Sequence, residues 1–305
     1  MLRSLFISLS HSRALRALAE RSGAGRRMSG RFVAGTTIED AMCSTAAVNQ
    51  LGMTVSLDSL GENVTNAAEA RQSAAAYRQL LQEISSRGLR ANVSLKLTHM
   101  GLDVDEALAL ELVGELVAQA ARSGNFVRVD MEGSPYTERT LAFVRDLHAC
   151  PGNQDAVGAV IQSYLYRSRA DVEQLLHQRI RIRLCKGAYQ EPKETAFQKK
   201  RDVDASFLEL TRLLLTSGVY HGIATHDERI IRATIAFARA RNIAPSSFEF
   251  QMLYGIRRDL QQALTRDGWR MRVYVPFGSE WYPYFMRRLA ERPANVFFIL
   301  KNLFR

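Results

Sequence analysis

The chain of 305 residues has few of the residues that build cross-linked or metal-bound frameworks. It carries three cysteines, Cys43, Cys150 and Cys185, odd in number, far apart and without a CxxC pair. This argues against a disulfide scaffold or a zinc cage and fits a reducing compartment. His221 and His226 stand five apart with no third ligand beside them, so no metal is expected. No apolar run approaches the roughly 20 residues that a membrane helix needs. Neither GxGxxG nor GxxxxGK[ST] occurs, which removes the glycine-rich phosphate turn usual after the first strand of a doubly wound sheet. No internal repeat and no low-complexity linker divides the chain.

What is present is the composition of a soluble globular protein, 47% hydrophobic and 24% charged. Forty-one basic against 31 acidic side chains give +10. The excess is uneven. Residues 1–35 hold Arg3, Arg13, Arg16, Arg21, Arg26, Arg27 and Arg31 against Glu20 alone, seven minus one, or +6. An arm so rich in Arg and Ser and so poor in acids has three readings: a transit peptide, a helix on an anionic membrane surface, or a solvated arm packed on the domain. Its only aromatics are Phe6 and Phe32, and no RNP-like or helix-turn-helix signature accompanies them, which disfavours nucleic acid as a partner.

After Gly35 short β-branched runs alternate with amphipathic segments. Strands are expected at 53–57, 92–97, 126–131, 157–162, 180–185, 222–225, 248–252 and 271–275. Helices are expected at about 63–87, 104–122, 137–148, 168–177, 194–216, 227–241, 255–266 and 279–292. In the second helix Leu108, Leu112 and Leu116 recur every four residues beside Val113 and Val117, and Asp103 with Glu106 reads as a capping start. Gly88, Gly124 and Gly218 follow helices, where left-handed C′ residues belong. Eight consecutive βα units over about 240 residues imply an α/β chain with a parallel sheet closed as a (β/α)8 TIM barrel. The expected division is a basic helical arm over 1–45 and a catalytic barrel over 46–305.

Catalysis in such barrels sits at the carboxyl ends of the strands. Those ends deliver Asp58, Lys96, Asp130, Gln162, Arg183 with Lys186, Thr225 with His226, Gln251 and Tyr274. Singly, each is as well explained by solvation or helix capping; together they describe a wide polar mouth. By the period of two, Arg128 and Asp130 share one face, as do Arg181 and Arg183. Either these faces look outward at a helix interface, or Asp130 and Arg183 meet inside the barrel, because a lone buried ion costs several kcal/mol. Gly187 and Ala188 in RLCKGAY permit close approach of a ligand to the backbone; Lys186 beside them fits a phosphate or flavin contact, or a Schiff-base nucleophile. Thr225 and His226 open a helix whose N-terminus favours a pyrophosphate, unless His226 simply caps it. Tyr284, Arg287, Arg288 and Glu291 form a stripe at spacings of three and four. This is a solvated face or a bidentate carboxylate clamp.

In order along the chain, RFVAG (31–35), LDSLGE (57–62), VSLKLTHMG (93–101), VDMEG (129–133), IQSYL (161–165), RLCKGAY (183–189), ATHD (224–227), FEFQMLYGI (248–256), YVPFG (274–278) and YFMRRLAERPAN (284–295) resemble the proline dehydrogenase family in its bacterial monofunctional form. The resemblance implies a distorted barrel with FAD at the strand carboxyl ends. It also implies hydride transfer from proline Cδ to flavin N5, giving Δ1-pyrroline-5-carboxylate, with electrons passed to a membrane quinone. By motif, Asp130 and Arg183 form the catalytic polar pair, and Lys96, Arg287 and Arg288 hold the proline carboxylate. Tyr274 and Tyr284 wall the proline ring. Met131, Gln162, Arg183, Lys186, Gly187, Ala188, Thr225, His226 and Gln251 bind FAD, and Glu62 gates the site by pairing with Arg287. Tyr274 is typical of proline-type rather than hydroxyproline-type members. Cys185 replaces the usual valine, and Asp227 a frequent asparagine. A pyrroline-5-carboxylate dehydrogenase is the implied functional partner. The implied location is the bacterial cytoplasm, with peripheral contact to the inner membrane, or the mitochondrial matrix face if the arm is a transit peptide. With the family match at RFVAG the arm reads as a structural helical segment. Two rivals remain from other classes. One is a barrel aldolase with Lys96 or Lys186 as nucleophile and a phosphate site at Gly278–Ser279. The other is a basic membrane-surface protein built on a barrel.

Overall fold

The computed structural model describes residues 30–284 and 286. Eight parallel strands close a barrel in chain order: β1 (Thr54–Ser59), β2 (Ala91–Leu95), β3 (Val127–Val129), β4 (Val157–Gln162), β5 (Arg181–Cys185), β6 (His221–Ala224), β7 (Phe248–Leu253) and β8 (Met271–Phe277). Pairing of Val55 with Val273 and of Asp58 with Pro276 joins β8 back to β1. The helices are α1 (Ile38–Gln50) before the barrel, then α2 (Ala67–Ser86), α3 (Glu106–Arg122), α4 (Thr137–Ala149), α5 (Ser168–His177), α6 (Lys200–Thr216), α7 (Glu228–Ala240) and α8 (Arg258–Arg266) between strands. Residues 281–284 begin a further helical segment. This is the expected (β/α)8 TIM barrel.

Every strand is buried on both faces, so alternation shows in polarity rather than exposure. One set of alternate residues, including Val55, Leu57, Val93, Leu95, Val127, Val129, Ile182, Leu184, Phe248, Phe250 and Val273, joins the helices in one continuous apolar core. The other set includes Ser56, Asp58, Asn92, Ser94, Arg128, Arg183, Glu249 and Gln251, also buried. These must point into the barrel, because Arg183 on β5 bonds to Ser56 on β1, the opposite side of the ring. Barrel interiors are usually filled with branched apolar side chains. Here the interior is polar, and burial of apolar area (about 25 cal/mol per Å²) comes from the layer between strands and helices.

Several boundaries shift for identifiable reasons. α3 is capped by Asp105, which accepts from the N–H groups of Ala107 and Leu108, and not by Asp103. Asp103 instead accepts the Tyr136 hydroxyl at 2.6 Å. α6 starts at Lys200 rather than 194, because Pro192 turns the chain and residues 195–197 run back along 164–166. α8 starts at Arg258 rather than 255, because Gly255 (φ 74°) and Arg257 (φ 52°) are left-handed. A Cβ at Gly255 would lie 1.7 Å from the Arg31 carbonyl oxygen. Gly88, Gly124 and Gly218 have φ of 60°, 63° and 71°, as expected after helices. α1 carries a capping box between Thr37 and Asp40 and packs on β1 and β8; it is continuous through residue 45. Just before it, Ala34 donates to Pro276 O and Gly278 to Gly35 O, tying RFVAG to the end of β8. Residues 1–29, which hold most of the basic arm, lie outside the described residues.

His221 ties β5 to β6. Its Nδ1 accepts the Ile182 N–H at 3.0 Å, so the neutral ring carries its proton on Nε2, which faces Ser217 Oγ at 3.0 Å. Burial, and then the charge of Arg128, hold its pKa down at about 3; burial holds His99 at about 4. An unfolded histidine titrates near 6.5. Below that pH the unfolded chain binds more protons than the folded one, so stability falls with acidification. The unfolding midpoint in denaturant is therefore expected to fall steadily from pH 7 to 4.5. In His221→Asn, which keeps an acceptor without a titrating ring, the slope should be shallower; equal slopes would refute the assignment.

Candidate active site

The carboxyl half of the barrel interior is organised by Arg183. Its Nη1 donates to Asp130 Oδ1 at 2.7 Å and to Ser94 Oγ at 3.1 Å, its Nη2 to Ser56 Oγ at 3.0 Å, and its Nε to Gln251 Oε1 at 2.6 Å. Asp130 also accepts Ser94 Oγ at 2.7 Å and the Tyr274 hydroxyl at 2.8 Å. The Tyr274 ring centroid lies 5.1 Å from the guanidinium carbon. Of the two arrangements open from sequence, the inward one is therefore found: Asp130 and Arg183 meet inside the barrel. Burial, then the charges of Asp130 and Asp58, push the Tyr274 phenol well above its ordinary pKa; it stays protonated and donates.

Beside this cluster, Lys96 Nζ lies 3.5 Å from Asp58 Oδ2. Burial would lower the ammonium's pKa, but Asp58, Asp130, Tyr189 and Glu62 outweigh it and hold Lys96 above its ordinary range. A low-pKa amine, as a Schiff-base nucleophile needs, is thus not what these surroundings produce. Tyr77 Oη, 2.9 Å from Ser94 O and 3.3 Å from Asp58 Oδ1, closes the floor on this side.

Around the rim the other candidates converge. Gln162 donates to Glu132 O at 2.9 Å and accepts the Ala188 N–H at 3.2 Å. Met131 is buried one residue after Asp130. Gly187 has φ 126°, and a Cβ there would sit 2.5 Å from the Tyr164 ring, so only glycine lets the chain lie on that ring. Thr225 Oγ1 accepts the Asp227 N–H, and His226 Nε2 accepts the Leu253 N–H at 2.9 Å. The N-cap of α7 is Asp227, not His226. Lys186 reaches Asp204 at 2.5 Å and Asp227 at 3.1 Å, which uses two of its three donors. Burial alone would raise Asp227, but Lys186 and Lys200 outweigh it and hold the carboxyl at about 2.

Tyr284 is buried in a separate apolar cluster with Phe32, Val33, Leu60, Trp281, Tyr282 and Met286. Arg287, Arg288 and Glu291, and with them the clamp and the Glu62–Arg287 gate, lie outside the described residues. Among the described residues no group of His, Cys, Asp and Glu is disposed to hold a metal, and no helix is long and apolar enough to cross a membrane.

The sequence alone does not single out Ser56, Ser94 or Glu249. Ser56 and Ser94 bond Arg183 directly, and Glu249 Oε1 accepts Gln251 Nε2 at 2.6 Å, orienting the glutamine that accepts Arg183 Nε. Glu249 in turn takes Arg272 Nε at 2.6 Å and the Tyr220 hydroxyl at 2.9 Å. Glu132 accepts the Thr98 N–H and hydroxyl, fixing the loop after β2. Two interior glycines make room. A Cβ at Gly222 would fall 2.2 Å from Gln251 Nε2, and one at Gly158 would fall 2.8 Å from Arg128 Nη1. The available signal is the period of two in TVSLDS, ANVSL, FEFQML and MRVYVPF, which puts Ser56 with Asp58, Asn92 with Ser94, Glu249 with Gln251, and Arg272 with Tyr274 on one face.

The comparisons with known proteins agree with this geometry. The family model described as Proline dehydrogenase matches residues 41–301. Proline dehydrogenase 1 of Bacillus subtilis strain 168 is 42% identical over 305 residues, all of both chains. Proline dehydrogenase of Deinococcus radiodurans is 41% identical over 278 residues, 90% of this chain and 89% of that protein. A crystal structure of proline utilization A (PutA) from Bdellovibrio bacteriovorus inactivated by N-propargylglycine superimposes with a TM-score of 0.82 at 25% identity. This chain spans 33% of that longer one, and 88% of it is covered. An inward-facing Asp–Arg–Tyr cluster at the mouth of an eight-stranded barrel, matched over nearly the whole length by such relatives, places this chain in the proline dehydrogenase family.

Proposed function

We propose that the protein oxidises L-proline to Δ1-pyrroline-5-carboxylate with FAD held at the carboxyl ends of the strands, and that its electrons pass to a membrane quinone. The observation that carries the reading is the Arg183–Asp130–Tyr274 cluster, buried in the barrel and facing the strand ends. The donor set around it fits a flavin dinucleotide. A fixed guanidinium lies at the centre. The Gly187–Ala188 backbone forms a cradle that a Cβ would fill. Lys186, Thr225, His226 and the start of α7 supply positive charge and N–H dipoles for a pyrophosphate. Lys186 brings less charge than its sequence context implies, because Asp204 and Asp227 already compensate it.

When bound, FAD supplies the hydride acceptor, N5. The chain's own residues do the positioning, which is the larger part of such a step. Arg183 cannot swing, since its guanidinium is tied to Asp130, Ser94, Ser56 and Gln251. It therefore presents a preorganised positive charge wherever negative charge develops beside it. Asp130 accepts from Arg183 and Ser94 through Oδ1 and from Tyr274 through Oδ2, so it anchors these three groups to one another. Tyr274 offers its ring as a wall for the proline ring. Lys96, held charged by Asp58, is suited to the substrate carboxylate together with Arg287 and Arg288, and Tyr284 and Glu62 are assigned the second wall and the gate. A pyrroline-5-carboxylate dehydrogenase would consume the product. A bacterial cytoplasmic site with peripheral membrane contact, and the division into an arm (1–45) and a barrel (46–305), complete the reading.

The purified protein should be yellow, and anaerobic proline should bleach its flavin band stoichiometrically; a colourless protein, or a band indifferent to proline, would overturn the assignment. Arg288→Met should retain the flavin spectrum and raise KM for proline about 10-fold or more, the loss of one charge-assisted contact; an unchanged KM would remove Arg288 from the clamp. Gly222→Ala should push Gln251 off Arg183 and lower the rate of flavin reduction, at a cost in stability of about 1–3 kcal/mol. A wild-type rate in a folded variant would show that the Gln251 contact is dispensable.

A further inference from the structure

The amino-terminal half of the barrel interior holds a second polar compartment, below the Arg183–Gln251 layer and away from the strand ends. A cavity of about 50 Å³ there is lined by Asn92, Phe126, Arg128, Arg181, Arg183, Tyr220, Glu249, Gln251 and Arg272. Four arginines and one carboxylate face it. Three of the arginines are neutralised: Arg183 by Asp130 at 2.7 Å, Arg272 by Glu249 at 2.6 Å, and Arg181 by Asp155 at 2.7 Å.

Arg128 is not. It is 5% exposed, and among the described residues no carboxylate lies within ion-pairing distance of its guanidinium. Nη1 donates to the carbonyl oxygens of Ala159 and Arg181 at 2.9 and 2.7 Å, and one face stacks on Phe126 with the guanidinium carbon 4.5 Å from the ring centroid. Burial, then the like charges of Arg183 and Arg272, disfavour its charged form, with Glu249 and Asp130 opposing. Arginine nevertheless keeps its proton in proteins. Carbonyl dipoles and the cation–π contact offset only part of the cost of a buried cation.

We propose that this cavity is a binding site for a small monovalent anion of the halide class, which serves as the counter-ion of Arg128. The volume admits a halide, an ion about the size of a water molecule, with a water or two beside it. Its lining offers the guanidinium edges of Arg128 and Arg272. An entry path is present. A cleft of about 520 Å³ opens the amino end of the barrel and shares Asn92, Phe126, Arg181 and Arg272 with the inner cavity. Arg90 at its rim adds positive charge at the mouth. The anion would relieve the repulsion between Arg128 and Arg183, coupling this end of the barrel to the active-site arginine.

The test is thermal unfolding of the intact purified protein at constant ionic strength, with sodium gluconate replaced stepwise by sodium chloride or bromide. A ligand that binds only the folded state stabilises it by mass action, so above Kd the Tm should rise with the logarithm of halide concentration, on the order of 5 °C at a hundred-fold excess over Kd. Arg128→Gln should lose that dependence. A Tm that follows ionic strength alone, or a halide response equal in Arg128→Gln, would overturn the proposal. Should Arg128→Gln fail to fold, diffraction from bromide-grown wild-type crystals decides. An anomalous peak beside the Arg128 guanidinium supports the site, and a cavity holding only water refutes it.

Discussion

The structure depends on burying a guanidinium at the centre of a barrel. Arg183 rises from β5 and is held by groups on β1, β2 and β7 and just after β3, through Ser56, Ser94, Gln251 and Asp130. A cation in that place is tolerable only with its ion pair and its hydrogen bonds complete, since removing one partner of a buried pair costs about 3–5 kcal/mol. The neighbouring positions follow from that requirement. Asp130 supplies the charge, two serines supply acceptors short enough to fit, and Gln251 is oriented by Glu249, which is itself pinned by Arg272 and Tyr220. Glycines at 158 and 222 leave the space that Arg128 and Gln251 occupy.

This arrangement separates the two tasks of the fold. Cohesion lies outside the strands, where one apolar layer joins every barrel strand to its helices. Chemistry lies inside, where Ser56, Asp58, Ser94, Arg128, Arg183, Glu249 and Gln251 are buried together. Because apolar packing does not fill the barrel, its interior has two compartments that communicate through Arg183, Gln251, Glu249 and Arg272. The upper one faces the strand ends and belongs to the reaction. The lower one is an arginine-rich chamber reached from the opposite face. A positive charge in the lower chamber acts on Arg183 across a medium of low dielectric, where screening by water is weak.

Much of the fold was legible in the sequence for a simple reason: the eight strands are short, β-branched and bounded by glycines or capping residues, so local propensity and tertiary need agree. β4 was expected at 157–162 and is found there. The failures came where a distant contact overrode a local signal. Asp103 and Glu106 resemble a capping start, but Tyr136 and Arg139 draw Asp103 away and Asp105 caps instead. Residues 194–199 look helical, yet they are held in a return loop against 164–166. Ile38–Gln50 is one continuous helix that packs on β1 and β8.

The sequence by itself determined the class of fold, the set of polar groups at the strand ends and the family, because each is written in short-range patterns of two, three and four residues. Only the tertiary structure decided which side of the sheet the charged faces occupy, that Lys186 is already paired with two aspartates, and that Asp130 accepts from Arg183, Ser94 and Tyr274 together. The physical reason is that these outcomes are set by partners 18 to 144 residues away in the chain. Closure of the barrel brings such groups within 3 Å of one another, and no local pattern encodes their distance.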